Sequence, residues 1–421
     1  MNVLHVMPYL PFPTSGAPVR EYNIIKNLSF MGIESQLICN YDHFQEGKKD
    51  ITSLENKLKA NIHLLEIPDL SIEKKIRSVL FKRMYPPIIR FDSNRNRAFI
   101  ASFLQKGNFD IIHAQHSAEA APALRAAQSI NFDGLKILTL HNVDHLNFIR
   151  QKEIHKSPFM KYAYDRVFLN YKEYELNVIN EFDHIFVVSE KDKDIYISEG
   201  ISKSKIDVIP NGVDCSTYDP NSLSHELFLM HPNLLFMGKL SYLPNASGIK
   251  TYLQHVHPLV KKEIPEIKLY IVGKDCPEWL RIYSEKDPSV EIIGFVDDVR
   301  PYILEADVCI APLTAGSGTR LKILEYMAMG RPIVSTSIGS EGLDIDNEKN
   351  IIIADEWDKF AERIIFLINN EIFAKRIGLR ARKLVENNYD WKKIVEKQSV
   401  LYKLLLSNFN EANKCSKSQI Y

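Results

Sequence analysis

The chain has 421 residues, with 53 basic and 53 acidic side chains and a formal net charge of zero. At roughly 100–200 residues per domain, that length predicts two or three domains. A content of 45% hydrophobic and 25% charged residues excludes disordered, collagen-like and disulfide-scaffold chains. The balanced charge argues against a surface given over to nucleic acid, and no nucleic-acid partner is expected.

Five cysteines (Cys39, Cys215, Cys276, Cys309 and Cys415) lie far apart with no C-x-x-C spacing. Cys39 and Cys309 fall inside apolar runs, which reads as reduced thiols and a cytoplasmic compartment. The opening MNVLHVMPYLPFP has no basic n-region and is broken by prolines, unlike a signal peptide. No stretch approaches the roughly 18 apolar residues of a spanning helix.

In chain order, short β-branched runs alternate with longer segments of helical period. Val3–Met7 reads as a strand, Arg20–Met31 as a helix stopped by Gly32, and Gln36–Cys39 as the next strand. Further strands are expected at Ile62–Ile67, Ile111–His113, Ile137–Leu140 and Ile185–Val188. After Pro210-Asn211-Gly212-Val213-Asp214 the pattern restarts, with strands at Leu234–Met237, Leu269–Val272, Glu291–Ile293, Val308–Ala311, Pro332–Ser335 and Ile351–Ile353. Runs apolar on both faces suit parallel sheets covered by helices. The economical reading is α/β, two tandem Rossmann-like doubly wound domains over 1–205 and 206–390. The remaining 391–421 would be a helix from Trp391 to about Leu405, able to pack back on a domain, followed by a fraying polar tail.

Ligands of such sheets bind beyond the carboxyl ends of the strands. The most informative loop there is Ala311–Arg320, holding Gly316, Ser317, Gly318 and Thr319 before a helix that carries Lys322 and Glu325 and closes at Gly330. Glycines admit close backbone approach, and free N–H groups at a helix start favour an anion such as a diphosphate. Lys322 and Glu325, three apart, share a helix face. The lysine would offset phosphate charge and the carboxylate would accept from ribose hydroxyls. The loop is neither a Walker loop nor a G-x-G-x-x-G fingerprint. By itself it reads equally well as a turn that caps a helix.

The run from Gly316 to Thr336, followed by Gly339-Ser340-Glu341-Gly342-Leu343, resembles the donor-site signature of family 4 glycosyltransferases, which are retaining, nucleotide-sugar-dependent enzymes of GT-B fold. Pro210–Asp214 resembles that family's linker. Phe236-Met237-Gly238-Lys239-Leu240 with Pro244-Asn245, Ile271-Val272-Gly273 and Gly294-Phe295-Val296-Asp297-Asp298 match in order and spacing. The resemblance is strongest over roughly residues 205–400.

It implies two Rossmann-like domains facing an interdomain cleft, the first for acceptor and the second for donor. It implies that Lys239 and Lys322 act together on the donor diphosphate in place of a metal. Gly238 would lie beside them, Phe295 and Val296 would address the base, and Glu325 would hold the ribose. The turn Thr14-Ser15-Gly16-Ala17 would close on phosphates or sugar through Gly16. His141 resembles the family's active-site histidine, positioned by the donor sugar rather than acting as a nucleophile. His113 and His116 flank another strand end as acceptor-side candidates.

The sequence also departs from the pattern. Many members carry two glutamates eight positions apart, and here the earlier position is Ser317. Ser15-Gly16 stands where a double glycine is common.

Asp192/Asp194 and Asp344/Asp346 form Asp-x-Asp triplets in charge-rich surface, and no zinc spacing occurs, so no metal and no cofactor beyond the donor are expected. Ser71–Arg97 holds eight basic residues against two acidic ones, a net of +6, on a partly amphipathic pattern. This segment is a candidate for an anionic membrane surface, giving a cytoplasmic, peripheral enzyme. The expected function is retaining transfer of a sugar from a nucleoside-diphosphate-sugar to a glycan or lipid-linked acceptor, in polysaccharide biosynthesis. A sugar-nucleotide epimerase of the same fold, or a non-catalytic partner subunit, are the alternatives.

Overall fold

The computed structural model describes residues 1–13, 16–41, 50–67, 69–80, 86–146, 149, 152, 157–223, 227–315 and 318–418. The chain forms two compact units: Met1–Pro210 with Ile394–Tyr421, and Asn211–Lys393.

The first unit is built on a parallel sheet of β1 (Asn2–Met7), β2 (Glu34–Tyr41), β3 (Asn61–Glu66), β4 (Ile111–Gln115), β5 (Leu135–Leu140), β6 (His184–Val187) and β7 (Ile206–Val208). Among the described residues their order is β3-β2-β1-β4-β5-β6-β7. All five residues of β4 are buried, the mark of a strand covered on both faces. The helix Gly16–Phe30 seals one face with Ile24, Ile25 and Leu28, and its first turns also bury Arg20 and Glu21. β7 was not anticipated: Ile206-Asp207-Val208 offers only two apolar residues, and they fell where a linker was expected.

The last helix, Trp391–Ser418, extends past the expected stop near Leu405. The residues beyond are polar but contain neither glycine nor proline, and polarity alone does not end a helix. Within the first unit it is tied to the sheet by Lys397 Nζ donating to Val208 O at 2.9 Å and by Tyr402 Oη, 2.5 Å from His113 Nδ1.

The second unit holds β8 (Asn233–Met237), β9 (Lys268–Val272), β10 (Val290–Gly294), β11 (Val308–Ala311), β12 (Ile333–Ser335) and β13 (Ile352–Ile353) in the order β10-β9-β8-β11-β12-β13. One face packs Phe236, Ile249, Tyr252 and Phe360; the other packs Leu235, Tyr326, Met327 and Val385. Strand order reverses between β1 and β4 in one unit and between β8 and β11 in the other. Those reversals open a crevice at the carboxyl ends of the strands. Among the described residues, no helix is long and apolar enough to cross a membrane.

Candidate active site

In the second unit the crevice has a backbone floor. Gly238 donates to Val272 O at 2.9 Å, and Gly273 donates to Gly294 O at 2.7 Å. A Cβ on Gly273 would overlap the Gly238 carbonyl. One on Gly238, whose φ is +147°, would lie 2.8 Å from Lys322 Nζ. Glycine at 273 lets the strand ends approach this closely, and glycine at 238 leaves room for the Lys322 ammonium. Met237 N donates to Tyr326 Oη at 2.9 Å, which ties β8 to the helix Leu321–Ala328.

That helix brings up the two residues singled out by spacing. Lys322 Nζ lies 4.4 Å from the Phe236 ring centroid and donates to Asn245 Oδ1 at 2.8 Å. Asn245 in turn donates to Lys239 O at 2.9 Å from the first turn of the helix Leu243–His255. Burial, with Arg320 adding repulsion, pulls the Lys322 ammonium down to about 7, against the opposing pull of Glu325. Glu325 accepts from Tyr218 Oη at 3.1 Å; burial raises its carboxyl, while that bond and Lys322 act in the other direction. An incoming anion beside Lys322 would restore the ammonium's charge.

The half-exposed ammonium of Lys239 is 3.6 Å from Asp275 Oδ2. Phe295 is 68% exposed, whereas Val296 packs against the core. Gly318 has φ +74°, and Thr319 Oγ1 is buried with no hydrogen-bond partner among the described residues. Gly316 and Ser317 lie outside the described residues.

In the first unit a second polar cluster sits at the ends of β1, β4 and β5. His141, just after β5, is buried with Nε2 3.0 Å from Glu21 Oε1. His116, just after β4, stacks on it with ring centroids 3.9 Å apart and planes 12° from parallel. Tyr9 Oη is 2.6 Å from His116 Nε2. Arg20 donates to Ile209 O at 2.8 Å and Pro210 O at 2.6 Å. Burial pushes the Glu21 carboxyl up to about 7 and holds both imidazoles well below their usual range. His141 is therefore neutral, suited to hydrogen bonding and positioning. Gly16 opens the helix Gly16–Phe30 with φ +54°, while Thr14 and Ser15 lie outside the described residues.

His113 belongs to the framework instead, with Thr139 Oγ1 2.7 Å from Nε2 and Tyr402 on the other nitrogen. Glu21, Tyr9, Tyr218 and the bridging role of Asn245 were not read from sequence. The available signal was a charged pair, Arg20-Glu21, on the face of a helix that otherwise buries Ile24 and Leu28.

The basic stretch 71–97 is not one amphipathic helix. It includes Ile72–Leu80, Pro86–Phe91 and the start of Asn94–Lys106, with 81–85 outside the described residues. Arg97 Nε donates to Asp92 Oδ1 at 2.6 Å and Arg90 Nη2 donates to Ile67 O at 2.7 Å, so part of the basic charge serves the fold. On Ile72–Leu80, Ile72 is 76% exposed.

Two doubly wound parallel sheets in tandem define the GT-B class. HepE from Anabaena, solved in complex with UDP, superposes with a TM-score of 0.68 at 15% identity, covering 96% of this chain and 100% of that one. The chain belongs to the group 1, family 4 glycosyltransferases: the "Glycosyl transferases group 1" model matches residues 231–370 and the "Glycosyltransferase Family 4" model matches residues 14–217. An uncharacterized 44.6 kDa protein in the cps region of Klebsiella pneumoniae is 29% identical over 62% of this chain and 66% of its own length. The capsular polysaccharide biosynthesis glycosyltransferase CapM of Staphylococcus aureus is 25% identical over 53% of this chain and 62% of its own. The chain thus spans just under two thirds of the length of these relatives.

Proposed function

We propose that the protein transfers a hexosyl group from a nucleoside-diphosphate-sugar to a glycan or lipid-linked acceptor, with retention at the anomeric carbon, in polysaccharide biosynthesis. The observation that carries this reading is Lys322, enclosed by Phe236 and Asn245 over the Gly238–Gly273 floor, with Glu325 one turn further along the helix. A half-buried lysine whose ammonium is pulled down by loss of water gains most from a dianionic phosphate beside it.

In this account the diphosphate lies against Gly238 and Lys322, and Lys239 leaves Asp275 to join it. The two ammonium groups stabilise the departing nucleoside diphosphate without a metal. Glu325, held by Tyr218, accepts from ribose hydroxyls, and Phe295 and Val296 lie along the base. Gly16, Gly316, Ser317, Gly318 and Thr319 approach phosphates and sugar. Neutral His141 hydrogen-bonds a donor-sugar hydroxyl and fixes its orientation. The acceptor attacks from the face the leaving group departs. The Staphylococcus relative supports polysaccharide synthesis as the setting, and HepE supports UDP as the nucleotide. A cytoplasmic enzyme that meets its acceptor at an anionic membrane surface through Ile72–Leu80 completes the proposal.

The test is product formation from nucleotide-sugar with and without acceptor, followed by NMR. Transfer that needs acceptor and is lost in Lys322→Ala and Glu325→Ala supports the reading. Conversion of donor to its epimer without acceptor would make the chain an epimerase, and unchanged turnover in both variants would refute the site.

A further inference from the structure

We infer that Glu21, His116 and His141 form a binding site for a divalent transition-metal ion of the zinc class. Each residue offers one ligand atom, and these atoms lie within 4.8 Å of one another, a grouping confined to these three among the described residues. Tetrahedral zinc with ligand bonds of about 2.0–2.1 Å needs its donors about 3.3 Å apart. Glu21 Oε1 and His141 Nε2, at 3.0 Å, lie close to that spacing, and His116, whose ring stacks on that of His141 at 3.9 Å, turns out of the stack to bring in the third donor.

The second observation is that two of the donors face only each other. Glu21 is 2% exposed and His141 7%, yet Glu21 Oε1 and His141 Nε2 have no hydrogen-bond partner of acceptable geometry. Leaving such buried groups unsatisfied is costly. A cation between them removes the cost at both atoms.

The donor set also selects the ion. Two imidazoles and one carboxylate suit Zn²⁺, Co²⁺ or Ni²⁺, whereas Mg²⁺ and Ca²⁺ favour all-oxygen sites. The scaffold is stiff, since the donors come from strand ends and the first turns of a packed helix. Tyr9 Oη, 2.6 Å from His116 Nε2, orients that ring as outer-shell groups orient metal ligands. Two histidines and one glutamate leave a fourth position open to water or a substrate hydroxyl.

One consequence rests on the role proposed for His141: an imidazole whose Nε2 is held by the ion cannot offer that nitrogen to the donor sugar. Zinc-class ions would therefore inhibit transfer, apart from any chemistry at the diphosphate.

Binding is measured on the whole chain, stripped by chelator and titrated with Co²⁺ while recording visible d–d absorption and calorimetric heat, with Zn²⁺ as competitor. The expected result is one equivalent of Co²⁺ with tetrahedral-type absorption, displaced by Zn²⁺. Affinity should fall at least about tenfold in His116→Ala and Glu21→Gln. His231→Ala removes the exposed imidazole beside Asp307 and should leave both absorption and affinity unchanged. Thermal unfolding confirms that each variant is folded, and His116→Asn replaces His116→Ala if that protein does not fold. Absence of the absorption, or equal affinity in wild type and His116→Ala, overturns the site. Metal binding without inhibition would instead refute the role given to His141 and leave the site standing.

Discussion

At the carboxyl end of the first sheet, Glu21, His116 and His141 gather lone pairs in a buried place, whereas at the matching end of the second sheet the half-buried amine of Lys322 lies beside a glycine floor. The same physical cause, loss of water, acts on opposite chemistry. In the first unit it pushes a carboxyl up and imidazoles down, leaving a site that gains from a cation or a hydroxyl donor. In the second it pushes an ammonium down, leaving a site that gains from an anion. Two units of like topology are thereby specialised by which residues sit at their strand ends.

Filling the glycine floor of the second unit should have the largest effect. Gly273→Ala places a Cβ onto the Gly238 carbonyl and should lower the stability of that unit by about 3 kcal/mol, measured by chemical denaturation. A wild-type midpoint would mean the strand ends do not approach as described. Next in size, Lys322→Ala should weaken nucleoside diphosphate binding by about 100-fold, as expected for loss of a buried charge contact. His141→Ala should change it by less than about twofold, because that residue is assigned to the sugar. Equal losses in the two variants would erase the distinction between the clusters.

A pH series sharpens the same point. With the free Lys322 ammonium near 7, the folded apo protein binds fewer protons there than an unfolded chain, and diphosphate binding restores the proton. Affinity should therefore fall about tenfold per pH unit above 7 until the ammonium pKa of the complex is reached, with proton uptake visible by calorimetry in buffers of different ionisation enthalpy. Lys322→Ala should abolish the uptake. The smallest effect is structural: Tyr402→Phe removes the hydroxyl shared by His113 and Gln398 and should cost about 1–2 kcal/mol of first-unit stability while leaving nucleotide affinity unchanged.

Much of the fold was legible because buried parallel strands are written as contiguous apolar runs. Val308–Ala311 coincides with β11, and Leu234–Met237 falls within β8. β7 escaped because three residues carry too little pattern, and the last helix was cut short because polarity was taken for a stop. In the site, Lys322 and Glu325 were legible since one helix sets their spacing. Their partners were not: Asn245 lies 77 residues from Lys322, and Tyr218 lies 107 from Glu325. Glu21 and His116 meet His141 only because the sheet order sets β1 beside β4 and β4 beside β5. In the sequence, Arg20-Glu21 looks like ordinary solvated charge at the start of a helix.

Recognition of a nucleoside diphosphate by the second unit depends above all on Lys322. Calorimetric titration of a panel of nucleoside diphosphates into wild type and Lys322→Ala at pH 8 tests it. The account predicts saturable 1:1 binding by at least one member of the panel, with proton uptake, and an affinity about 100-fold lower without uptake in the variant. No binding by any member, or equal affinity in the two proteins, would contradict it.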